Sequence, residues 1–278
     1  MIIMSEFFSY NFIQHAMLAC ILASIGCGIM GTYVVVRRIG FLAGGIAHSV
    51  LAGMGIAYYL GNTPLMGAVI AALVASVLIG LINLKWRQNE DILIAMFWSV
   101  GMAIGILFIS RTPGYNVDLM SYLFGNILLV SGNDLILMLL LDILLFLLAT
   151  ILYRQFLVTA FDQEFARLRG INVEFYYILL LSMVALTVVL LIQVVGLILV
   201  LALLILPAAS ATQFVSSIKP MMLLSVLFSL FVTTSGLVIS YQPDLPSGAT
   251  IIIMASIVYL LSIISKRIQV KLTGNHNN

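Results

Sequence analysis

Long apolar stretches, separated by short polar breaks, follow one another along almost the whole chain. A helix needs about 20 mostly apolar residues to cross a bilayer core about 30 Å thick. Windows of this kind predict nine transmembrane helices, at residues 12–36, 41–60, 64–84, 92–110, 134–153, 174–194, 195–213, 219–240 and 247–265. Only Gln193 and Gly196 interrupt the stretch from 174 to 213, so the count becomes eight if that stretch is not divided.

The composition supports this interpretation. The chain has 278 residues, of which 63% are hydrophobic and only 8% are charged, whereas about 25% of the residues of a soluble domain are charged. The loops between the apolar stretches are short, which argues against an attached soluble domain. We therefore predict an all-α, polytopic membrane protein with a single transmembrane domain over residues 1–278. The polar tail from about 272 to 278, which includes His276, is predicted to be disordered.

The positions of the basic residues predict the orientation in the membrane. Short cytoplasmic loops of membrane proteins are enriched in lysine and arginine. If nine helices cross and the N-terminus lies outside, every lysine and arginine except Arg111 falls on the cytoplasmic side. This orientation also places the C-terminus in the cytoplasm. The net charge of +2 is then a consequence of topology, and no basic patch suggests a nucleic-acid partner.

Two connections are longer than the others. Residues 111–133, predicted to lie outside, contain the apolar run LMSYLFGNILLV, which is too short to cross and favours a re-entrant or interfacial segment. Residues 154–173, predicted to lie inside, contain FDQEFARLRG, which has the features of a short helix over 162–170.

The end residues of this segment match the preferences of a helix. Asp162 can cap the first turn, and Glu164 suits the positive N-terminal end. Arg167 and Arg169 suit the negative C-terminal end, and Gly170 can terminate the helix. An apolar stripe at helical spacing runs along it, formed by Phe161, Phe165 and Leu168. Periodicity alone leaves two roles open for the stripe: docking on a soluble partner, or lying on lipid headgroups.

Common enzyme signatures are absent from the sequence. It contains no GxSxG, no HExxH and no Walker A loop, and its histidines are scattered along the chain. The chain is therefore predicted not to be an enzyme and not to hydrolyse ATP through a P-loop. Cys20 and Cys27 lie seven residues apart in the first apolar stretch and are interpreted as buried thiols without a metal.

One histidine lies in an otherwise apolar stretch, GGIAHSVLAG. If this helix enters the membrane near Gly40, His48 lies about 12 Å along it, close to the middle of the bilayer. Gly44 and Ala52, one turn to either side, leave space beside the imidazole. One interpretation is a histidine that packs helices together through a hydrogen bond. The other is a polar point on an ion path, since neutral imidazole binds zinc, manganese and iron.

Further small or polar residues in the spans are candidates for packing or for the path. Gly45, Ser49 and Gly53 form a small row next to His48 that allows another helix or subunit to approach closely. Asp142, in LMLLLDILLF, is either a hydrogen-bonded acid between helices or a group on the path. Pro207, in LLILPAASA, is either a hinge or an ordinary helix irregularity.

Several segments together resemble a known family. GGIAHSVLAG, LFGNIL, FDQEFARLRG, VGLILVLALLILPAASA and DLPSGATIII occur in the order seen in permease subunits of the metal-type ABC importers of bacteria and archaea. The resemblance extends from about residue 12 to residue 265. It implies a multi-pass protein of the prokaryotic cytoplasmic membrane that takes up zinc or manganese, with iron as a third candidate.

The resemblance also implies partners. These are a second copy of the chain, a cytosolic ATPase dimer that binds the ATP, and an extracytoplasmic metal-binding protein; no tightly bound cofactor is implied. The 162–170 segment, including Ala166, resembles the coupling helix that sits in a groove of the ATPase. Many family members have an aspartate four residues before the histidine, and here that position is Gly44. A tight metal site within one chain is therefore not expected.

Two rival functions are consistent with the apolar stretches. One is a permease for a chelated metal such as a siderophore, haem or cobalamin, which needs a wide cavity and no metal ligand. The other is a secondary transporter driven by protons or sodium, with Asp142 as the coupling acid.

Overall fold

The computed structural model describes residues 10–86, 90–112, 125, 127–241, 243 and 245–274. Within these residues the chain is α-helical, as predicted. The helices are α1 (Asn11–Val36), α2 (Gly40–Tyr59), α3 (Pro64–Trp86), α4 (Glu90–Ser110), α5 (Gly132–Ile151), α6 (Tyr153–Phe161), α7 (Gln163–Leu168), α8 (Val173–Val195), α9 (Leu197–Ala211), α10 (Ile218–Tyr241) and α11 (Ser247–Gly274), with a 3₁₀ turn at Ile127–Leu129.

Eight of the described helices are long and apolar enough to cross a membrane. The window predicted as a further span at 195–213 instead contains α9, which has 15 residues. At 1.5 Å per residue it is about 22 Å long, shorter than a bilayer core. The count of eight long helices therefore agrees with the lower of the two predicted numbers, and the orientation of the termini stays a prediction.

A glycine sets the boundary between α8 and α9. Gly196 has φ 81° and ψ 160°, a conformation that residues with a Cβ rarely adopt. Gly125, with φ 63°, packs directly on this break, because a Cβ there would overlap the backbone of Val195 and Gly196. Ile127 is buried, and the Val130 carbonyl accepts a hydrogen bond from His15 Nδ1 of α1 at 3.2 Å. This end of the predicted re-entrant segment therefore packs inside the bundle. The rest of the run, residues 119–124 and 126, lies outside the described residues.

Among the eight long helices of the described residues, three form the inside of the bundle, and the shorter α9 is also largely buried. In their most apolar windows, 72% of the residues of α1 and α2 and 67% of those of α8 are buried. The corresponding share is 33% or less for the other long helices. Their apolar faces point outward, as expected of helices that contact lipid. The two cysteines of α1 are both free and buried, which confirms their predicted role as buried thiols.

Small residues allow the inner helices to approach closely. Gly53 of α2 and Gly67 of α3 face each other so tightly that a Cβ on either would overlap the carbonyl oxygen of the other. On another side of α2, a Cβ at Gly101 of α4 would lie 2.7 Å from Ser49 Cα. The small row of α2 is therefore occupied by α3 and α4 of the same chain.

We expect Gly53→Ala to lower the free energy of unfolding by about 1–3 kcal/mol, because the added methyl group forces α2 and α3 apart. Gly44→Ala, nine residues earlier on the same helix, is the matched control. A Cβ at Gly44 meets only Leu201 Cδ1, at 3.9 Å, so stability should be unchanged or rise by up to about 1 kcal/mol. Thermal unfolding in detergent compares the two variants. Equal melting temperatures would contradict the close α2–α3 contact.

Candidate functional site

His48 lies on α2 and its side chain is only 6% exposed. Its ring stacks on the indole of Trp98 from α4, with centroids 3.8 Å apart and an angle of 13° between the planes. Within the described residues, Nδ1 is buried and has no hydrogen-bond partner. A hydrogen bond from this nitrogen to another helix, the packing interpretation of His48, is therefore not present there. The stack fixes the orientation of the ring and leaves a ring nitrogen unused.

Trp98 was not singled out from the sequence. It is 41% exposed, so one part of the indole covers His48 and another part faces outward from α4. Its position follows from the close α2–α4 contact at Ser49 and Gly101, which brings the two rings together. The sequence shows only a tryptophan in an apolar helix. That His48 is its partner depends on how α2 and α4 pack.

The residues around His48 on α2 are small, and free space beside the imidazole stays a prediction. Gly44, one turn toward Gly40, has no atom closer to its Cβ position than 3.9 Å. Ser49 and Ala52 line an apolar cavity of about 290 Å³ between α2, α3 and α4. Gly45 packs on α4, where its Cβ position lies 3.6 Å from Ile94 Cα.

The break before α9 lies near the level of His48. Cβ positions at Gly40 and Gly44 lie 3.1 Å from Ile205 Cδ1 and 3.9 Å from Leu201 Cδ1, so α9 runs antiparallel to α2. One further turn along each helix brings the start of α9, at Leu197, opposite His48. Interrupted helices near the middle of the membrane commonly form ion sites, since unwound backbone leaves carbonyl groups available. Sequence analysis identified Gly196 as an interruption but did not indicate that α9 packs on α2.

Pro207 lies inside α9, which continues to Ala211. Proline has no N–H group, so the carbonyl four residues earlier loses its usual helical donor. The next carbonyl, that of Leu204, lies against Gly31 of α1, where a Cβ would overlap it. The predicted hinge at Pro207 stays a prediction.

Asp142 lies at a different junction. It is 8% exposed on α5, and its Oδ1 lies 2.7 Å from the Cβ position of Gly26 on α1. Thr187 of α8 approaches the same point, and Asp142 Oδ2 has no hydrogen-bond partner within the described residues. No described contact links Asp142 to His48. The described residues also contain no group of three or more His, Cys, Asp or Glu that could hold a metal ion.

The predicted cytoplasmic helix is α7, Gln163–Leu168, with its caps on either side. Asp162 Oδ1 accepts a hydrogen bond from the Phe165 N–H at 2.8 Å, and Glu164 lies in the first turn. At the other end Arg169 is the C-cap, and Gly170 has φ 73°. The extended backbone of Asp162 separates α7 from α6, a helix that the sequence analysis did not predict.

The apolar stripe on this segment is exposed. Phe161, Phe165 and Leu168 are 69%, 43% and 88% exposed, whereas Ala166 is fully buried against the protein. Phe161 belongs to the end of α6 rather than to α7, because the chain changes direction at Asp162. The guanidinium of Arg169 lies over the Phe165 ring at 4.9 Å. The segment therefore presents apolar side chains away from the bundle.

Arg37, at the end of α1, connects this region to the bundle. Its Nη1 donates a hydrogen bond to the Thr159 carbonyl of α6 at 2.6 Å, and its guanidinium carbon lies 5.3 Å from the centre of the Tyr177 ring of α8. Burial lowers the pKa of the Arg37 guanidinium from its ordinary value. Arg37 and Arg167 line one polar cavity of about 260 Å³. Arg37 thus connects the end of α1 to α6, and the cavity that it shares with Arg167 and Tyr177 lies between α7 and the ends of α1 and α8.

Long apolar helices around a buried histidine whose Nδ1 has no described partner, together with a short helix that exposes apolar side chains, are consistent with a multi-pass membrane transport protein. The chain belongs to the ABC 3 transport family, which matches residues 9–266. Family membership confirms the resemblance found in the sequence. Members are transport permeases, and the chain is a multi-pass protein of the prokaryotic cytoplasmic membrane.

Similar proteins cover almost the same length. The probable metal transport system membrane protein of Chlamydia pneumoniae is 41% identical over 90% of this chain and 87% of its own length. The manganese transport system membrane protein MntC of Halalkalibacterium halodurans is 34% identical, with coverage of 92% and 88%. The solved structure of PsaBC from Streptococcus pneumoniae in complex with Fab is 32% identical, covers 97% of this chain and 99% of that chain, and has a TM-score of 0.86.

Proposed function

We propose that this chain is the permease subunit of a binding-protein-dependent ABC importer for divalent transition-metal ions. Manganese and zinc are the first candidates and iron is the third. The observation that carries this proposal is the buried His48 ring, stacked on Trp98, whose Nδ1 has no described partner. Relatives of similar length that are named as manganese transport proteins support the choice of cargo.

His48 serves as a transient contact on the ion path. An uncharged imidazole offers a nitrogen lone pair to manganese or zinc without adding a fixed charge to the membrane interior. Gly44 contributes no carboxylate, so one chain holds the ion weakly. Weak binding suits an importer, because the ion must be released to the cytoplasm and the binding protein can perform the capture. The backbone break at Gly196, near the level of His48, supplies further oxygen ligands.

A second copy of the chain completes the path. Homo-oligomers with two-fold symmetry bring the same residue of each copy to a shared axis. Trp98 suits this contact, since its side chain is 41% exposed on α4. Two imidazoles, one from each copy, would then approach the same ion. The Asp142 junction lies away from the described contacts of His48 and serves as a secondary candidate on the path.

The α7 segment couples the permease to a cytosolic ATPase. The exposed stripe of Phe161, Phe165 and Leu168 provides an apolar surface for the groove of the partner, and Arg37 and the cavity shared with Arg167 connect it to α1 and α8. ATP-driven closure of the ATPase moves α7. This movement changes the packing of α2 and α9 around His48 and Pro207, and access to the site alternates between the two sides.

Uptake into proteoliposomes tests the proposed function. We expect vesicles that contain the chain, its ATPase and its binding protein to accumulate manganese or zinc only when ATP and the binding protein are both present. Omission of ATP or of the binding protein is the control. Uptake that persists without ATP and follows an imposed proton or sodium gradient would support a secondary transporter instead. Uptake of a metal chelate with none of the free ion would support the chelate permease.

A further inference from the structure

A cleft opens on the outside of the bundle, on a face separate from α2 and α4. It lies between α1, α5 and α10 beside the start of α6, and its volume is about 560 Å³. Most of its wall is apolar, with contributions from Ile29, Phe146, Met222 and Val226. The cleft therefore matches a hydrocarbon chain in size and in polarity.

The cationic residues of the cleft lie at one end. Lys219 is in the first turn of α10, and Arg154 is in the first turn of α6, directly after α5 ends at Ile151. Val226 is seven residues further along α10, about 10 Å deeper at 1.5 Å per residue. The cleft thus runs from a basic mouth at one end of the helices into their apolar middle. Under the predicted orientation, this mouth faces the cytoplasm.

No carboxylate compensates these cations among the residues that line the cleft. Both side chains are exposed, and neither forms an ion pair within the described part of the chain. Lys219 Nζ lies over the Tyr153 ring, 4.9 Å from its centre. This contact holds the ammonium group at the mouth and leaves its charge available. An anionic group at this position would meet two cations.

We propose that the cleft binds an anionic phospholipid of the cytoplasmic leaflet. One acyl chain fills the apolar part of the cleft, and the phosphate contacts Arg154 and Lys219. Basic pockets between helices on the cytoplasmic side are suited to anionic headgroups. A free phosphate would leave the apolar wall uncovered. A second copy of the chain at this face would bring its own Arg154 and Lys219 toward the same cations, since a two-fold contact uses the same surface twice.

Native mass spectrometry of the purified full-length chain tests this site, with dioleoyl phosphatidylglycerol as the probe. The variant Arg154→Gln/Lys219→Gln removes both cations. Its matched control, Lys266→Gln/Arg267→Gln, removes two exposed cations of α11 that do not line the cleft. We expect the affinity for the anionic lipid to fall by roughly fivefold per cation removed at the mouth. The control variant should bind like the unmodified chain.

A second pair of variants tests the acyl-chain part of the cleft. Leu223 lines the cleft and is 65% exposed, so Leu223→Trp should obstruct it and weaken lipid binding without disturbing the core. Leu227, 51% exposed on the same helix, does not line the cleft, and Leu227→Trp is its control. Weaker binding to Leu223→Trp alone supports the proposal, and equal binding to both variants overturns it.

Two further probes distinguish binding of an anionic lipid from binding of an uncharged lipid or of a free anion. Dioleoyl phosphatidylcholine, which has the same acyl chains but no net charge, should bind unmodified protein at least about fivefold more weakly. Equal affinity for the two lipids would overturn the proposed role of the cations. Inorganic phosphate should not displace the lipid, and full displacement would show a simple anion site.

The oligomeric state of Leu223→Trp tests whether this face is a contact between two copies of the chain. A change from dimer to monomer in Leu223→Trp would identify the face as such a contact and would also overturn the lipid site.

Discussion

His48→Ala is expected to reduce ATP-dependent uptake of manganese and zinc by at least about tenfold, while the chain still folds and assembles. The imidazole of His48 is buried on α2, and within the described residues its Nδ1 forms no hydrogen bond to another helix. Its removal deletes the proposed ligand of the path together with the stacking contact on Trp98, so thermal unfolding of His48→Ala is measured alongside uptake. Loss of a residue that only supports a metal ligand typically costs 10–100-fold in metal affinity or activity, and loss of the ligand itself should cost at least as much. Initial uptake rates in proteoliposomes provide the measurement.

His15→Ala is the matched control. This histidine lies near the start of α1 and donates a hydrogen bond to the Val130 carbonyl. Its substitution removes an imidazole that has a structural role and is not on the proposed ion path. We expect uptake to remain within about twofold of the unmodified chain. Uptake that stays normal in His48→Ala would move the path away from α2, and the Asp142 junction would be the next position to test.

Phe165→Ala combined with Arg167→Glu is expected to uncouple transport from ATP hydrolysis. Phe165 is exposed on α7, and Arg167 lines the cavity shared with Arg37. The double variant removes an aromatic contact with the ATPase and reverses a charge beside the bundle. Truncation of one central aromatic residue can cost 2 kcal/mol or more of binding energy, about 30-fold in affinity. Uptake should fall by about tenfold or more, and ATPase activity should lose its response to the loaded binding protein.

Phe231→Ala controls for the loss of an exposed aromatic side chain. Phe231 is 56% exposed on α10, away from α7, and should retain uptake and the ATPase response. Measurements of uptake and of ATP hydrolysis on the same vesicles distinguish uncoupling from failure to assemble. Normal uptake with full stimulation of the ATPase in the α7 double variant would rule out α7 as the coupling element.

Much of the fold follows from the sequence because the bilayer imposes simple requirements. A chain with few charges and repeated apolar stretches must satisfy its backbone hydrogen bonds within helices. Most helix ends then fall near the predicted boundaries. The region around Gly196 shows the limit of this argument. Hydropathy indicates an interruption there, but the close contact of α9 with α1, where a Cβ at Gly31 would overlap the Leu204 carbonyl, depends on tertiary packing.

The α7 segment was predictable for a different reason. Caps and end charges act within a few residues, so Asp162 and Gly170 could be assigned from local sequence. Helix α6 was missed because Arg154 and Gln155 end the apolar run of α5, so the residues after them were interpreted as part of a connection. The exposure of Phe161, Phe165 and Leu168 depends on which helices pack beneath them, and periodicity alone could not decide it.

The sequence by itself determined the class of protein, the number of long apolar helices to within one of the eight described, the capped short helix after Asp162 and the isolated histidine in an apolar helix. These features depend on composition, on distances along the chain and on local hydrogen bonds. Only the tertiary structure decided that Trp98 covers His48, that α9 packs on α2 next to Gly40 and Gly44, and that Asp142 belongs to another junction. Such contacts join residues far apart in sequence, and close packing between helices selects among many partners that hydrophobicity treats as equal.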